Sequence, residues 1–330
     1  MGYEKHIYER AEAELSLRRL KAESEQQRHI HEIEEKFPEI IEINRKLAET
    51  SIELSKLIIS KEKNFNESFN KIMESNLQGQ ELIKNILREG NYPGDYLEAK
   101  YSCPICYDKG YTSAGIRCQC FNELLNKFSA EELNKNANLP LCDFKHFSLS
   151  YYKGKTDKGI DCYKKMSEIF DFCKLYANTF NKNSESLFFL GKTGVGKTHL
   201  SLSIAKAVAE KGFNVAYGSI MNYLRNIEKE HFGRTANVNT DTLQVLINAD
   251  LLVLDDLGSE FQTSFYESAV YNLLNSRLNM GLPTIISSNL TTDELQKRYN
   301  DRIISRIFGL YNIILCVGED IRQIKRLKGE

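Results

Sequence analysis

The chain has 330 residues, of which 42% are hydrophobic and 27% are charged, and its formal net charge is −1. This composition is typical of a folded protein with enough apolar residues for a core, and the length suits two domains. A net charge near zero excludes the global basic field that many nucleic-acid binders carry, so any DNA contact must come from a local patch.

The N-terminal sequence and the eight cysteines point to the cytoplasm. No apolar core of signal-peptide length follows Met1, and no segment approaches the roughly 20 apolar residues that a membrane span requires. We therefore expect a cytoplasmic protein without a membrane partner. In that compartment cysteines stay reduced, so disulfides are not expected.

Residues 1–90 are predicted to form two or three long amphipathic helices. Apolar residues such as Ile40 and Leu47 recur at helical spacing, and breaks are expected at Pro38 and near Asn64. Two interpretations remain open. The segment is either a helical bundle or short coiled coil with a solvated outer face, or a docking module for a partner protein.

Residues 91–139 break the helical pattern with a turn cluster and four cysteines. The first two cysteines form a C-x2-C pair and the last two a C-x-C pair, and two such pairs can turn four thiolates toward one ion. We predict a structural Zn²⁺ site, with Cys142 and His146 as alternative ligands. Buried free thiols and a redox or iron–sulfur role are the competing interpretations. The four predicted ligands are Cys103, Cys106, Cys118 and Cys120.

From residue 140 onward, short apolar runs alternate with helical segments. This alternation is typical of an α/β fold with a parallel sheet covered on both faces. A helix is expected from Thr198 to about Lys211. The expected strands are Ser186–Leu190, Asn214–Tyr217, Leu251–Asp255, Thr284–Ser288 and Ile313–Val317.

A phosphate-binding loop follows the first of these strands. GKTGVGKT satisfies G-x-x-x-x-G-K-[ST] between an apolar strand and a helix, which is the context that its mechanism requires. Backbone N–H groups of such a loop surround the phosphates, the lysine reaches the β- and γ-phosphates, and the threonine hydroxyl ligates Mg²⁺. We therefore predict ATP and Mg²⁺ as cofactors. The predicted binding residues are Gly191, Lys192, Thr193, Gly194, Val195, Gly196, Lys197 and Thr198.

Two carboxylates and a polar strand end are expected beside this loop. The apolar run LLVLDD ends in Asp255, which would hold Mg²⁺, and Asp256, which would polarise the attacking water where many ATPases place a glutamate. TIISSN ends in Asn289, whose side chain would hydrogen-bond the γ-phosphate or that water. A T-x-x-E capping box at Thr291 is expected to begin the next helix.

The order of these motifs resembles that of the AAA+ ATPases, and in particular the bacterial replicative helicase loaders of the DnaC/DnaI-like family. The resemblance is carried by DFKHFSLSYY, the phosphate-binding loop, LLVLDDLGSE, YNLLNSR, TIISSNL and GEDIR. NYPGDYLEAKYSCPICYDKGY is similar to the N-terminal zinc region of Gram-positive members. The resemblance as a whole implies an AAA+ P-loop ATPase domain over 140–330, preceded by a zinc-binding module over 91–139 and a helical partner-docking region over 1–90.

The resemblance also implies a homo-oligomer, because AAA+ subunits assemble side by side with ATP at their boundary. Arg306 in RIISRIF is similar to the arginine finger, which reaches the γ-phosphate of a neighbour, and Arg302 is the rival candidate. Arg322 in GEDIR is similar to the sensor 2 arginine, which contacts phosphate in its own subunit. For each arginine, a surface charge or an ordinary ion pair is the alternative interpretation.

The segment 219–234 resembles the extra helix of initiators and loaders that faces a central channel. We expect Lys229, His231 and Arg234, together with Tyr223, to contact single-stranded DNA through charge and aromatic stacking. The alternative is a solvated helix face.

Taken together, the resemblance implies an ATP-dependent loader of the replicative, DnaB-like DNA helicase. It would bind the helicase through its N-terminal region and hydrolyse ATP at subunit interfaces during the initiation of replication. An IstB-like transposition helper ATPase and a phage or plasmid replication accessory ATPase are the alternatives. An N-terminal region of about 140 residues favours the loader, because transposition partners of this type generally have a shorter one.

Overall fold

The computed structural model of the protein describes residues 5–60, 65–135, 142–233 and 241–328. The chain divides into two compact units, one of Glu12–Phe121 and the other of Met1–Ala11 with Asn122–Glu330. Over the described residues the helices are α1 (Lys5–Lys36), α2 (Glu39–Ser60), α3 (Phe65–Glu89), α4 (Gln119–Lys135), α5 (Cys162–Thr179), α6 (Lys197–Glu210), α7 (Ile220–His231), α8 (Thr242–Asn248), α9 (Ser264–Asn279), α10 (Thr292–Arg298), α11 (Asp301–Leu310) and α12 (Ile321–Lys328).

The strands of the described part are short and lie in the larger unit. They are β1 (Thr156–Asp157), β2 (Ile160–Asp161), β3 (Leu187–Leu190), β4 (Val215–Ser219), β5 (Leu251–Asp255), β6 (Thr284–Ser288) and β7 (Asn312–Leu315). Each run expected from the sequence to be a strand overlaps one of β3 to β7. The largest shifts are at the carboxyl ends of β4, which runs two residues past the expected end, and of β7, which stops two residues before it.

The smaller unit is helical, as its apolar periodicity predicts. The break at Pro38 is confirmed, because α1 ends at Lys36 and α2 begins at Glu39. The break expected near Asn64 lies outside the described residues. The buried residues Ile33, Ile40 and Leu87 form a small core where the three helices approach one another, packed by aromatic and aliphatic neighbours.

A five-stranded sheet organises the larger unit. Its order is β4-β5-β6-β3-β7, and every adjacent pair is parallel. Neighbouring residues of β3 bury opposite faces: Phe188 packs into one hydrophobic cluster and Phe189 into the other. The sheet is therefore covered on both sides, which confirms the predicted α/β class.

Parallel strands bring their carboxyl ends to one edge of the sheet. Leu190, the last residue of β3, lies opposite Ser288 of β6, and Ser219 of β4 lies opposite Asp255 of β5. The phosphate-binding loop and the two polar strand ends thus follow neighbouring strands at the same edge. In open α/β sheets that edge is where ligands bind.

Arg277, the arginine of YNLLNSR, is a structural residue that the sequence pattern did not identify as such. It is fully buried on α9, and burial lowers its pKa to about 10. Its guanidinium donates hydrogen bonds to backbone carbonyls at the end of α8 and just before β6. Its N–H groups therefore have partners without a carboxylate. Its acceptors are Thr284 Oγ1 and the carbonyls of Leu246, Ile247, Ala249 and Pro283.

Among the helices that the structure describes, none combines the length and apolarity of a membrane span.

Candidate nucleotide site and metal centre

The phosphate-binding loop runs from the end of β3 to the start of α6, and its glycines are required by its shape. Gly194 has φ 77 and Gly196 has φ 94, conformations that L side chains rarely adopt. A Cβ on Gly194 would come 2.0 Å from an Asp320 carboxylate oxygen, and one on Gly196 would come 2.7 Å from the Tyr152 hydroxyl. The neighbouring segments therefore pack directly on the loop backbone.

Lys197 occupies the centre of this loop. Its side chain is almost fully buried, and the ammonium donates hydrogen bonds to the carbonyls of Gly191 and Lys192 at 2.7 and 2.8 Å. Burial lowers the pKa of Lys197. An ammonium held this way lies inside the turn that a P-loop wraps around phosphate, where it can exchange carbonyl partners for phosphate oxygens.

Thr198, Asp255 and Ser287 form a hydrogen-bonded group beside the lysine. The Thr198 hydroxyl lies 2.9 and 3.1 Å from the two carboxylate oxygens of Asp255, and the Ser287 hydroxyl donates to Asp255 at 2.6 Å. Burial raises the pKa of Asp255, although the hydrogen bonds from Ser287 and Thr198 act to lower it. Hydroxyl and carboxylate oxygens are ligands that Mg²⁺ accepts, so this group fits the predicted metal.

Asp256 points away from this buried group. It has φ 58, a left-handed conformation that is uncommon for a residue with a side chain, and its side chain is exposed. Its backbone N–H donates to the Ser287 hydroxyl at 3.0 Å. Ser287 therefore orients both aspartates. The sequence singled out the end of TIISSN but missed Ser287, because only the pairing of β5 with β6 places it there.

A cavity of about 360 Å³ opens over the loop. Its lining brings together most of the predicted site residues: Thr193, Gly194, Gly196, Lys197, Thr198, Asp256, Asn289 and Arg322. Residues of DFKHFSLSYY, among them Phe147 and Tyr151, also line it. The cavity therefore combines polar groups that suit phosphates with aromatic side chains that suit an apolar part of a ligand.

Arg322 reaches the cavity because the start of α12 is fixed on the phosphate-binding loop. The Ile321 N–H donates to the Gly194 carbonyl at 3.0 Å, and the Arg322 N–H donates to the Asp320 carboxylate at 2.9 Å. The capping box predicted at Thr291 is confirmed at the start of α10, directly after Asn289.

The other two arginines lie on α11 and do not line the cavity. Arg306 is held by α9, where its guanidinium donates to the Asn275 side chain at 2.9 Å and to the Tyr271 hydroxyl at 3.0 Å. Arg302 is exposed.

The predicted DNA-contacting residues of α7 do not share one surface. Tyr223 is 3% exposed and packs in the hydrophobic core, so the expectation that it stacks on DNA is wrong. It faces inward because it lies on the same side of α7 as Leu224 and Ile227. Lys229 and His231 are exposed, and Arg234 lies outside the described residues.

The four predicted metal ligands converge in the smaller unit. The sulfur atoms of Cys103, Cys106, Cys118 and Cys120 all lie within 4.8 Å of one another. The Sγ atoms of Cys103 and Cys118 are 3.7 Å apart. A tetrahedral ion with Zn–S bonds of about 2.3 Å separates its sulfurs by about 3.8 Å, so the group fits Zn²⁺. The alternative ligands Cys142 and His146 line the nucleotide cavity instead.

The loop between the cysteines is built to present the sulfurs. The Gly110 N–H approaches Cys106 Sγ at 3.4 Å, and the buried Asp108 carboxylate accepts from the Cys103 N–H at 3.0 Å. Burial acts to raise the pKa of Cys103, but hydrogen bonds from the N–H groups of Cys106 and Ile105 bring it down to about 7. Thiolate formation, which metal binding requires, is thereby favoured at this residue.

Sequence comparison relates the chain to one protein family and to several curated proteins. Residues 164–323 match the family described as IstB-like ATP binding protein. A replicative helicase loader DnaI from Bacillus subtilis is 32% identical over 130 residues, which cover 39% of this chain and 40% of the relative. A replicative helicase loader DnaC from Buchnera aphidicola is 29% identical over 134 residues, covering 41% of this chain and 54% of the relative. The matched part of the chain thus spans about half or less of the length of these relatives.

Two solved structures are also similar to part of this chain. A crystal structure of the DnaC helicase loader matches 52% of this chain and 97% of its own at 23% identity, with a TM-score of 0.44. A DnaI crystal structure matches with a TM-score of 0.42, again at 23% identity. The sequence matches confirm the predicted resemblance to the DnaC/DnaI-like proteins, and residues 164–323 are similar to the IstB-like ATP binding proteins.

Proposed function

We propose that the protein is an ATP-dependent loader of the replicative DNA helicase. The observation that carries the proposal is one cavity in which the phosphate-binding loop, Asp256, Asn289 and Arg322 meet, within a domain similar to those of curated helicase loaders. A P-loop beside such a set of polar side chains suits phosphoryl transfer to water, in which the protein chiefly positions the reactants and stabilises charge.

The roles of the site residues follow from their positions. Lys197 and the loop N–H groups bind the phosphates, while Thr198 and Asp255 hold Mg²⁺, which neutralises charge on the phosphate oxygens when bound. Asp256, directed into the cavity by its left-handed backbone, orients the attacking water together with Asn289. Arg322 contacts the phosphates of its own subunit.

ATP hydrolysis occurs at the boundary between two copies of the chain. The arginines of α11 lie outside the cavity, so the one that serves as a finger must act on a neighbour. Arg306 is held in a fixed orientation by Tyr271 and Asn275, which favours it as the finger because little rotamer entropy would be lost on contact. Arg302 remains the rival. The exposed Lys229 and His231 are proposed contacts of single-stranded DNA.

The N-terminal part recruits the helicase. We assign the helical region over 1–90 to partner docking and the module over 91–139 to a structural Zn²⁺ site, because four thiols fill all the positions of a tetrahedral ion. The exposed apolar side chains of the long helices, such as Leu77 and Leu82 on α3, offer contact area for a partner.

A transposition helper ATPase is the second candidate, since the family that matches residues 164–323 is described as IstB-like. Co-precipitation of the full chain with the replicative helicase or with a transposase of the same organism distinguishes the two candidate functions. Retention of the helicase by the wild-type chain is expected. Retention of a transposase instead, with no helicase, would favour the second candidate.

A further inference from the structure

A buried carboxylate connects two parts of the ATPase unit. Glu260 follows Asp256 in LLVLDDLGSE and is only 5% exposed. Removing an ionised group from water is costly unless surrounding donors replace the water. The donors that surround Glu260 therefore indicate which segments it holds together.

On one side, Glu260 closes the turn that follows Asp256. The Gly258 N–H donates to its carboxylate at 2.9 Å, and the Ser259 N–H donates to the carbonyl of Asp256 at 3.0 Å. Gly258 has φ 102, and Leu290 packs against its Cα, so this turn has little room to shift. The carboxylate thus fixes the backbone that leads away from Asp256.

On the other side, Glu260 binds the last residue of α10 and the residue that follows it. The Tyr299 hydroxyl donates to its carboxylate, and the Arg298 guanidinium lies 3.8 Å from the same oxygen. Arg298 also donates to the backbone carbonyl of Glu260. The side chain and the main chain of Glu260 therefore hold Arg298 and Tyr299, which lie shortly before α11.

The Arg298–Tyr299 segment leads directly into α11. Asn300 is the N-cap of α11 and accepts from the Ile303 N–H at 3.0 Å, while its own N–H donates to Glu267 of α9 at 3.0 Å. Arg302 and Arg306 follow on the same helix. A movement of the Arg298–Tyr299 segment would consequently displace both arginines.

We infer that Glu260 is a positioning residue that holds the start of α11, and with it the interface arginines, against the turn that follows Asp256. Glu260 thereby joins the turn beside one nucleotide to the helix whose arginine contacts the neighbouring nucleotide. This inference rests on the proposed hydrolysis between subunits.

Amide hydrogen exchange on the full chain tests the positioning directly. Glu260→Gln keeps the shape but removes the negative charge that faces Arg298, and it places an NH₂ donor against either the Gly258 N–H or the Tyr299 hydroxyl, which must then accept instead of donate. We expect exchange in peptides covering 299–306 to accelerate by about fivefold or more, and exchange in α6 to stay within about twofold. Glu228→Gln is the matched control, because Glu228 accepts from the Tyr266 hydroxyl at 2.8 Å without touching this segment.

A subunit-mixing assay tests the consequence for catalysis. Lys197→Ala protein lacks a working nucleotide pocket and supplies only the interface arginines. Arg302→Ala/Arg306→Ala protein lacks those arginines and supplies only the intact pocket. The mixture is assayed with Mg-ATP and oligo(dT). Adding Glu260→Gln to the finger donor should lower the activity of the mixture by about fivefold or more, whereas Glu228→Gln in that donor should leave it within about twofold.

The two measurements separate failure of the inference from failure of the proposed function. Unchanged exchange at 299–306 overturns the inference, and so does a Glu260→Gln finger donor that works as well as its parent. If the parent mixture shows no activity, hydrolysis between subunits is wrong. The exchange result alone then decides whether Glu260 positions α11.

Discussion

The Thr198 hydroxyl hydrogen-bonds to the Asp255 carboxylate at 2.9 Å and so joins the phosphate-binding loop to the strand two places away in the sheet. The contact brings together two oxygen ligands that come from distant parts of the sequence. Ser287 completes the group from the strand between them.

Lys197→Ala should abolish detectable ATP binding or turnover and leave the fold intact. The ammonium contacts loop carbonyls rather than the core, so its removal deletes charge from the phosphate site without opening a large cavity. Binding of a fluorescent ATP analogue and circular dichroism check the two halves of this expectation. Lys174→Ala, an exposed lysine of α5, is the control. Wild-type turnover by the Lys197 variant would refute the assignment.

Asp256→Ala should bind ATP normally and lose about 10²-fold or more in turnover, which is typical of removing a group that handles the attacking water. Asp255 would still hold Mg²⁺ with Thr198. Asp255→Ala should instead weaken Mg²⁺-dependent binding. Titration with Mg-ATP, followed by single-turnover hydrolysis, distinguishes the two variants. Loss of ATP binding in Asp256→Ala alone would show that the two carboxylates have exchanged roles.

One Zn²⁺ per chain should be found in freshly purified, reduced protein. Structural zinc contributes roughly 10–16 kcal/mol of apparent binding energy in small peptides, so chelation should unfold residues 100–125 and leave ATP binding unchanged. Metal analysis of Cys118→Ser should show loss of the ion. Cys142→Ser is the matched control, because Cys142 lines the nucleotide cavity and should keep the metal. Absence of zinc from the wild type would eliminate the site.

Arg306→Ala should reduce stimulated hydrolysis by about 10³-fold or more, the lower range for an arginine finger, while ATP affinity stays near the wild-type value. Mixing it with Lys197→Ala protein should restore part of the activity, since each variant supplies what the other lacks. The readout is phosphate release in the presence of oligo(dT) and helicase. Full activity of Arg306→Ala on its own would transfer the role to Arg302.

Shortening the α2–α3 pair should abolish helicase binding and preserve ATP turnover. A Cβ on Gly79 would come 2.8 Å from the Leu47 side chain, so the two helices run close together there and a short Gly-Ser linker can replace residues 48–78. The helix ends that pack around Ile40 and Leu87 remain. Co-precipitation and phosphate release are the measurements. Undiminished helicase retention would place the docking surface elsewhere.

Local sequence was sufficient for the features that one segment specifies. A phosphate-binding loop needs its glycines and lysine at fixed spacing because the loop is a single turn, so Gly194, Gly196 and Lys197 could be identified without a fold. The same holds for the two cysteine pairs, whose spacing within each pair orients the sulfurs, and for the capping box at Thr291. Their roles in binding remain predictions for the experiments above.

Tertiary structure alone decided which distant residues meet and which side chains are accessible. Ser287 reaches Asp255 because β5 and β6 pair in parallel, and Arg306 is held by residues of α9. Tyr223 is buried on the side of α7 that packs on the core, together with Leu224 and Ile227, whereas Lys229 lies on the exposed side. Periodicity specifies that a helix has two faces, but only the sheet it packs on determines where each face points.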